Sequence, residues 1–321
     1  MGDYPKKVWI REVGPREGFQ FEKTFIPTDK KIQLVDALSA TGIPCIEVTS
    51  FVSPKWVPQM ADADELSRGF TRAPNVKYEA LFLNIKGLER AVGAGKYDVE
   101  GSLSVIASDT FSQKNTNKTI QQALAGMDEW IKKYEELKVP IRGGSMMAAF
   151  GCNYEGDVPP QKVISLTADL ERVLKDHGYP FRHLSLADTM GWANPRQIQT
   201  VVGKVRDRWP SLEIQLHLHD TRGPGMANAL AALQMGVAEF DASVAALGGC
   251  PFGGHKSAAG NIATEDLVFM CQEMGIETGV DLEKLIECAN QAETIFGHEL
   301  HGKVMKAGSL KRFRSSGVGK S

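Results

Sequence analysis

The chain has 321 residues, of which 42% are hydrophobic and 24% are charged, and its formal net charge at pH 7 is −2. This composition is typical of a globular protein with a large core, and the near-zero charge excludes a strong field that would gather nucleic acid or an anionic membrane. The five cysteines lack paired spacing, which favours a reducing compartment over a disulfide framework or a structural zinc site. No signal peptide or bilayer-spanning apolar run is evident, so we expect a cytoplasmic protein.

Short apolar runs alternate with segments of helical periodicity along the chain. The runs predict strands at 8–13, 45–51, 78–82, 98–106, 141–149, 181–187, 213–219 and 240–245. Apolar residues that recur every three or four positions predict helices at 28–40, 61–70, 86–94, 119–137, 160–177, 195–209, 225–235, 263–274 and 282–295. Helix ends are marked by Thr119 as an N-cap and by Gly42, Gly178 and Gly236 after the last turn.

About eight strand–helix units in this length predict an α/β fold, a (β/α)₈ TIM barrel with an additional C-terminal helix. Alternation alone would also permit an open doubly wound sheet. Polar residues follow the ends of the apolar runs, and they would converge only in a barrel, where all strand ends open onto one mouth. No linker divides the chain, so we predict a single barrel domain over 1–300 and a basic, loosely ordered tail over 301–321.

The predicted strand 213–219 ends in His217-Leu218-His219-Asp220. Side chains alternate along a strand, so both imidazoles point to the same side. Such a pair could be a hydrogen-bonded part of the core or half of a metal site. Glu17 could add a carboxylate and Asn261 an amide oxygen, with positions left open for a substrate.

The glycine-rich segment 248–261 could be a lid over the mouth or an ordinary surface loop. Cys250 lies within it, either as an inert thiol or as a general acid or base. Arg16 beside Glu17 could stabilise an oxyanion or form a surface ion pair. Glu47 and Asp188 could orient other groups or make ordinary strand-end hydrogen bonds.

Six segments resemble the 3-hydroxy-3-methylglutaryl-CoA lyases, in chain order and over about residues 8 to 297. They are VGPREGFQ at 13–20, IEVTSFVSPKWVPQM at 46–60, LSLADTMG at 184–191, HLHDT at 217–221, LGGCPF at 247–252 and GNIATED at 260–266. The SFVSPKW and GGCP segments are specific to the lyases. The Arg–acid pair and the His-x-His motif belong to the wider superfamily of TIM-barrel metal-dependent lyases and Claisen-condensing enzymes, which includes the isopropylmalate and homocitrate synthases.

The resemblance implies a metal-dependent acyl-CoA lyase. Its reaction would be retro-Claisen cleavage of 3-hydroxy-3-methylglutaryl-CoA, or a close 3-hydroxy-3-alkylacyl-CoA, to acetyl-CoA and a keto acid. The partners implied are the acyl-CoA thioester and further copies of the chain, as a dimer or tetramer. A divalent metal, Mg²⁺ or Mn²⁺, would be bound by four residues, Glu17, His217, His219 and Asn261.

Roles for the other polar residues follow from the same resemblance. Arg16 would polarise the thioester carbonyl, and Cys250 would transfer a proton from the closing loop. The proton of the tertiary alcohol would be oriented or shuttled by three residues, Asp188, Glu47 and His217. Lys23 and Arg142 are weaker candidates for substrate binding.

Three features depart from the lyase pattern. The lyases carry Asp where this chain has Glu17, and Arg-Glu-Gly occurs in homocitrate synthases, so a Claisen-condensing acyltransferase is one alternative. The segment after Cys250 is longer and contains His255-Lys256. Met146 and Met147 lie in a stretch whose side chains are smaller and more polar in the lyases. We favour core packing for these two residues over a reshaped acyl pocket. A catalytically inactive barrel that serves as a binding protein is the second alternative.

Overall fold

Eight parallel strands form one sheet in the computed structural model, which describes residues 4–249 and 259–315. The strands are β1 (Trp9–Glu12), β2 (Cys45–Ser50), β3 (Lys77–Leu81), β4 (Gly101–Ile106), β5 (Ile141–Met147), β6 (His183–Ala187), β7 (Glu213–His217) and β8 (Glu239–Ala242). Their hydrogen-bonded order is β3-β2-β1-β8-β7-β6-β5-β4, which is chain order around a ring with one seam between β3 and β4. At the seam, the backbone N–H of Asp98 donates to the carbonyl of Tyr78 at 2.7 Å. The predicted α/β barrel is confirmed.

Helices surround the sheet. They are α1 (Gly14–Phe21), α2 (Thr28–Ser39), α3 (Ala63–Gly69), α4 (Ile85–Gly93), α5 (Asp109–Thr116), α6 (Ile120–Ala125), α7 (Met127–Glu136), α8 (Pro160–Asp176), α9 (Pro195–Arg208), α10 (Gly225–Gln234), α11 (Thr264–Glu273), α12 (Leu282–Phe296), α13 (Val304–Ala307) and α14 (Lys311–Ser315). None of the helices in the described part of the chain has the length and apolar character needed to cross a membrane.

Helix α9 illustrates how local sequence sets these elements. Asn194 and Gln197 form a reciprocal capping box, and Pro195 occupies the first turn, where its missing N–H costs no hydrogen bond. Apolar residues at three- and four-residue spacing then bury one face against the sheet; they are Ile198, Val201, Val202 and Val205. The core is the layer between the strands and these helix faces.

Several elements differ from the sequence prediction. The helix predicted over 119–137 is divided into α6 and α7 at Gly126, although Thr119 is its N-cap as expected. Helices α1 and α5 were not predicted, because Gly14-Pro15 resembles a turn and α5 has weak apolar periodicity. Strand β4 begins at Gly101 rather than at 98, since Asp98 closes the seam.

The C-terminal segment carries more local structure than its basic composition predicts. Val304 and Met305 are buried, and the Asp266 carboxylate accepts the backbone N–H groups of Lys303 and Val304 at 3.0 and 2.7 Å. Helix α12 is the additional helix predicted before it. The boundaries of the barrel domain and of the tail remain a prediction.

Candidate metal centre

The turn after β1 places two of the predicted site residues at the mouth of the barrel. Arg16 and Glu17 lie in the first turn of α1, which directly follows β1. Buried Glu12 braces this turn, because its Oε1 accepts the backbone N–H groups of Gly14 at 2.7 Å and of Val244 at 2.9 Å. The chain segments after β1 and β8 are thereby joined beneath the site.

Glu17, His217 and His219 converge on one point. Each offers a ligand atom, and these atoms lie within 4.8 Å of one another. Nε2 of His217 is 3.4 Å from Nε2 of His219, and the two Nε2 atoms are 3.6 and 3.9 Å from the Glu17 carboxylate oxygens. The two imidazoles share one face, as the strand periodicity predicted, and both lie beside the carboxylate of Glu17 in α1.

Asn261 completes the cluster from the far end of the glycine-rich segment. Its Nδ2 donates to Glu17 Oε2 at 2.6 Å and to the carbonyl of Leu247 at 3.0 Å. Its Oδ1 is buried and has no hydrogen-bond partner among the described residues. An antiparallel bridge between Asn261 and His219 fixes the backbone of both.

The residues present fit a divalent cation. Two imidazole nitrogens that face each other at 3.4 Å, one carboxylate and an unpaired amide oxygen form a mixed N/O donor set of the kind that binds divalent metals. A buried polar atom without a partner is costly, and a cation would satisfy the Asn261 oxygen.

Asp241 is a candidate site residue that sequence reasoning missed. Its Oδ2 lies 3.0 Å from Nδ1 of His217. An Nδ1–H that donates to this carboxylate leaves the Nε2 lone pair directed at the cluster, as in metal sites with a carboxylate-supported histidine. The available signal was one acidic residue between Phe240 and Ala242 in an apolar strand.

Arg16 links two carboxylates beside the cluster. Its Nε donates to Glu47 Oε2 at 2.5 Å, and its Nη2 is 2.7 Å from Glu17 Oε1. Burial alone would raise the pKa of Glu17, but the charge of Arg16 lowers that pKa well below its usual value. Glu17 is therefore held as a carboxylate, and Glu47 fixes the guanidinium at the mouth.

Asp188 lies at the end of β6 with one oxygen engaged and one open. Its Oδ1 accepts the backbone N–H groups of Trp192 at 2.7 Å and of Ala193 at 3.0 Å, whereas its buried Oδ2 has no partner among the described residues. Burial raises the pKa of Asp188, although nearby His219 and these N–H groups oppose the shift. A carboxyl group with one free oxygen and a raised pKa suits the transfer of a proton.

Arg142 is not brought to this site, which corrects the prediction that it binds the substrate there. The ladder between β4 and β5 shifts by one residue at Arg142, at the amino ends of the strands. Its Nη2 pairs with Glu239 at 2.6 Å, and its guanidinium lies 5.6 Å from the ring centroid of Trp9. Arg142 therefore lies at the end of the barrel opposite to Glu17 and His217.

The other predicted residues divide between the mouth, the core and the undescribed segment. Lys23 is exposed in the turn after α1, on the side of the barrel that carries the cluster. Met146 packs in the main core, and Met147 packs half-buried in a small apolar cluster with Cys152 and Met190. Three residues lie outside the described part of the chain, namely Cys250, His255 and Lys256.

Two glycines mark the ends of the segment between Leu247 and Asn261. Gly248 has φ +95°, and a Cβ there would approach Nδ2 of Asn261 to 2.7 Å. A Cβ on Gly260 would overlap the carbonyl oxygen of Gly248. Only glycine allows these two backbones to lie together beside the cluster.

Comparisons with known proteins agree with the resemblance seen in the sequence. Residues 7–291 match the HMGL-like family model. The mitochondrial hydroxymethylglutaryl-CoA lyase of Bos taurus is 42% identical over 307 residues, which cover 96% of this chain and 91% of the relative. The crystal structure of the Bacillus subtilis HMG-CoA lyase has a TM-score of 0.86 at 41% identity and covers 95% of this chain and 98% of its own. The structure of an HMG-CoA lyase from Acinetobacter baumannii in complex with coenzyme A and 3-methylmalate has a TM-score of 0.85 at 38% identity. It covers 97% of this chain and 98% of its own.

Proposed function

The chain belongs to the HMGL-like family, and we propose that it is a metal-dependent carbon–carbon lyase that cleaves 3-hydroxy-3-methylglutaryl-CoA, or a close 3-hydroxy-3-alkylacyl-CoA, to acetyl-CoA and a keto acid. The observation that carries the proposal is the convergence of Glu17, His217, His219 and Asn261 at the barrel mouth beside Arg16. The coenzyme A and 3-methylmalate held by the Acinetobacter baumannii lyase support an acyl-CoA substrate.

The metal is part of this proposal, with Mg²⁺ or Mn²⁺ held by Glu17, the two imidazoles and the Asn261 amide oxygen. A hard divalent cation bound there would lower the pKa of the substrate's C3 hydroxyl. Asp241 would keep the His217 ring in the tautomer that presents Nε2.

The remaining residues supply proton transfer and charge stabilisation. The C3 hydroxyl loses its proton to the open oxygen of Asp188, the C2–C3 bond breaks, and its electron pair moves into the thioester as an acetyl-CoA enolate. Arg16, held by Glu47, stabilises the enolate oxygen. The C2 carbon then takes a proton from the thiol of Cys250, a role assigned from its position in the sequence.

A substrate screen tests the proposal. Purified protein loaded with Mg²⁺ or Mn²⁺ is given a series of 3-hydroxy-3-alkylacyl-CoA thioesters, and acetyl-CoA release is measured. We expect release from at least one, with 3-hydroxy-3-methylglutaryl-CoA the first candidate, and no release from any would refute the proposal. A parallel arm with acetyl-CoA and α-keto acids tests the Claisen-condensing alternative, since consumption of acetyl-CoA there would favour it.

Two further expectations accompany the activity. The four described cysteines are free and buried, which suits a cytoplasmic, reducing location. A homo-oligomer, dimer or tetramer, is also proposed, and light scattering on the full chain tests it. A monomer at assay concentration would contradict this part of the proposal.

A further inference from the structure

A network of charged and polar side chains lies behind the metal ligands, on the side of His217 away from the cluster. Arg11 of β1 is paired in register with Asp241 of β8, which in turn is paired with His217 of β7. Its Nη1 reaches past β2 and pairs with Glu79 of β3 at 2.9 Å. The guanidinium of Arg11 therefore connects β8 to β3, which are separated in the sheet by β1 and β2.

The Asp241 carboxylate is saturated with donors. Arg11 donates to both of its oxygens, from Nε to Oδ1 at 2.9 Å and from Nη2 to Oδ2 at 2.8 Å. Nε2 of Gln215 donates to Oδ1 at 2.5 Å, and His217 Nδ1 lies 3.0 Å from Oδ2. Four donors around one planar group leave it a single orientation.

The bidentate contact with Arg11 fixes the plane of the Asp241 carboxylate. A guanidinium fork matches both oxygens at once, which a point charge such as lysine cannot do. Asp241 is almost fully buried, so without Arg11 its plane could turn between the remaining donors. The His217 ring would then lose a fixed acceptor for its Nδ1–H.

We propose that Arg11 is a positioning residue for the metal centre, which acts on His217 through Asp241. Its guanidinium contacts Asp241 and Glu79 and none of the four predicted ligands, and its effect is to hold the carboxylate that holds the imidazole. This inference rests on the proposed metal-binding function and adds to it a residue in the third layer around the cation. Glu79 would keep the other edge of the guanidinium in place.

Calorimetric titration of the metal-free full chain with Mn²⁺ tests the coupling. We expect Arg11→Met and Asp241→Asn each to raise Kd by about tenfold or more, the usual effect of losing a supporting partner of a metal ligand. Because Arg11 acts through Asp241, the double variant should bind no more weakly than Asp241→Asn alone. An unchanged Kd in Arg11→Met, or a loss that adds in full to that of Asp241→Asn, would overturn the proposal.

Two further variants separate positioning from folding and charge. Arg142→Met removes another cation of the barrel interior, one that pairs with Glu239 on the same strand as Asp241, and should leave Kd unchanged. Arg11→Lys keeps the charge without the fork and should also weaken binding, so it carries the test if Arg11→Met does not fold. Wild-type affinity in Arg11→Lys would refute positioning by the fork. Thermal unfolding of each metal-free variant confirms that folded proteins are compared.

A second readout needs no metal. Nitrogen chemical shifts of ¹⁵N-histidine-labelled protein, at a pH alkaline enough to leave imidazole neutral, report the His217 tautomer, with His217→Ala for assignment. We expect the Nδ1–H form in the wild type and a mixture in Arg11→Met; the same single form in both would refute the role of Arg11. If the wild type binds no Mn²⁺, the proposed metal site fails, while this measurement still decides the role of Arg11.

Discussion

Oε2 of Glu17 accepts a hydrogen bond from Nδ2 of Asn261 at 2.6 Å, although 244 positions separate the two residues in the chain. This bond ties the start of α1 to the residue that ends the glycine-rich segment. The longer arm of Glu17, compared with Asp, is therefore accommodated by a direct contact with a second predicted ligand. The opposite amide atom of Asn261 remains open to a cation.

Replacing Asn261 tests its role as a ligand. Asn261→Ala removes both the unpaired oxygen and the bond to Glu17, so we expect Mn²⁺ affinity to fall by about tenfold or more. Titration calorimetry measures the change. Asn84→Ala, which removes only the N-cap of α4, should cost some stability and leave Kd unchanged. Equal Kd values in Asn261→Ala and the wild type would remove Asn261 from the ligand set.

Changes at Glu17 separate charge from length. Glu17→Gln keeps the shape but removes the charge that attracts the cation and pairs with Arg16, so Mn²⁺ binding should be lost or weakened by about a hundredfold. Glu17→Asp keeps the charge and should retain most of the affinity. If Glu17→Gln binds Mn²⁺ as tightly as the wild type, the carboxylate is not a ligand.

Arg16→Met tests stabilisation of the enolate. Loss of one oxyanion donor costs about 3–4 kcal/mol, so kcat should fall by at least about a hundredfold. Glu47→Gln should cause a smaller loss, because Arg16 keeps its contact with Glu17. The exposed Arg72→Met is the matched control, because it removes contacts with Asp98, the carbonyl of Lys96 and the Tyr78 ring and none with the cluster. A kcat within threefold of the wild type in Arg16→Met would exclude the assigned role.

The buried carboxyl group of Glu265 should make the free energy of unfolding depend on pH. Burial raises the pKa of Glu265 to about 8, and its Oε1 is unpaired among the described residues. The unfolded chain releases this proton near pH 4.3, roughly the free value, so the free energy of unfolding should fall between there and about pH 8 and then level off. The side chain in Glu265→Gln cannot ionise. Between pH 5 and pH 8 the free energy of unfolding of this variant, measured by denaturant titration, should therefore fall less than that of the wild type, by roughly a few kcal/mol. In the control Glu129→Gln, at an exposed position, the free energy of unfolding should fall as much as in the wild type. A fall of the same size in Glu265→Gln would contradict the assignment.

Gly260→Ala tests the close approach of the two glycines. The added methyl group would overlap the Gly248 carbonyl, so the backbone that carries Asn261 must shift. We expect weaker Mn²⁺ binding and a kcat at least about tenfold lower, since a small misplacement at a reacting centre is costly. Gly93→Ala in α4, where nothing lies within 4 Å of the new Cβ, should leave both values unchanged. Wild-type kinetics in Gly260→Ala would show that the site tolerates the shift.

Local sequence patterns account for much of the fold and for the paired histidines. A period of two places His217 and His219 on one face whatever the fold, and the regular strand–helix alternation predicts the barrel. Glu17 could be brought to them only through topology, because β1 and β7 meet at the mouth after the ring has formed. The resemblance supplied that step from the sequence.

The residues that were missed or misplaced depend on contacts between distant strands. Asp241 supports His217 because β7 and β8 pair in one particular register, which no local pattern encodes. Arg142 is different, because it is the second residue of β5, and the amino ends of the strands lie opposite to the mouth. The division between α6 and α7 falls at Gly126, in a segment whose apolar periodicity continues across it.

The contact between Gly248 and Gly260 has a consequence for how such an enzyme can diversify. The backbones at the two ends of the intervening segment lie in close contact, and Asn261 is anchored beyond them by Glu17 and His219. Residues can therefore be inserted or exchanged between the two glycines while the cation ligands stay in place, at a small entropic cost for each added residue.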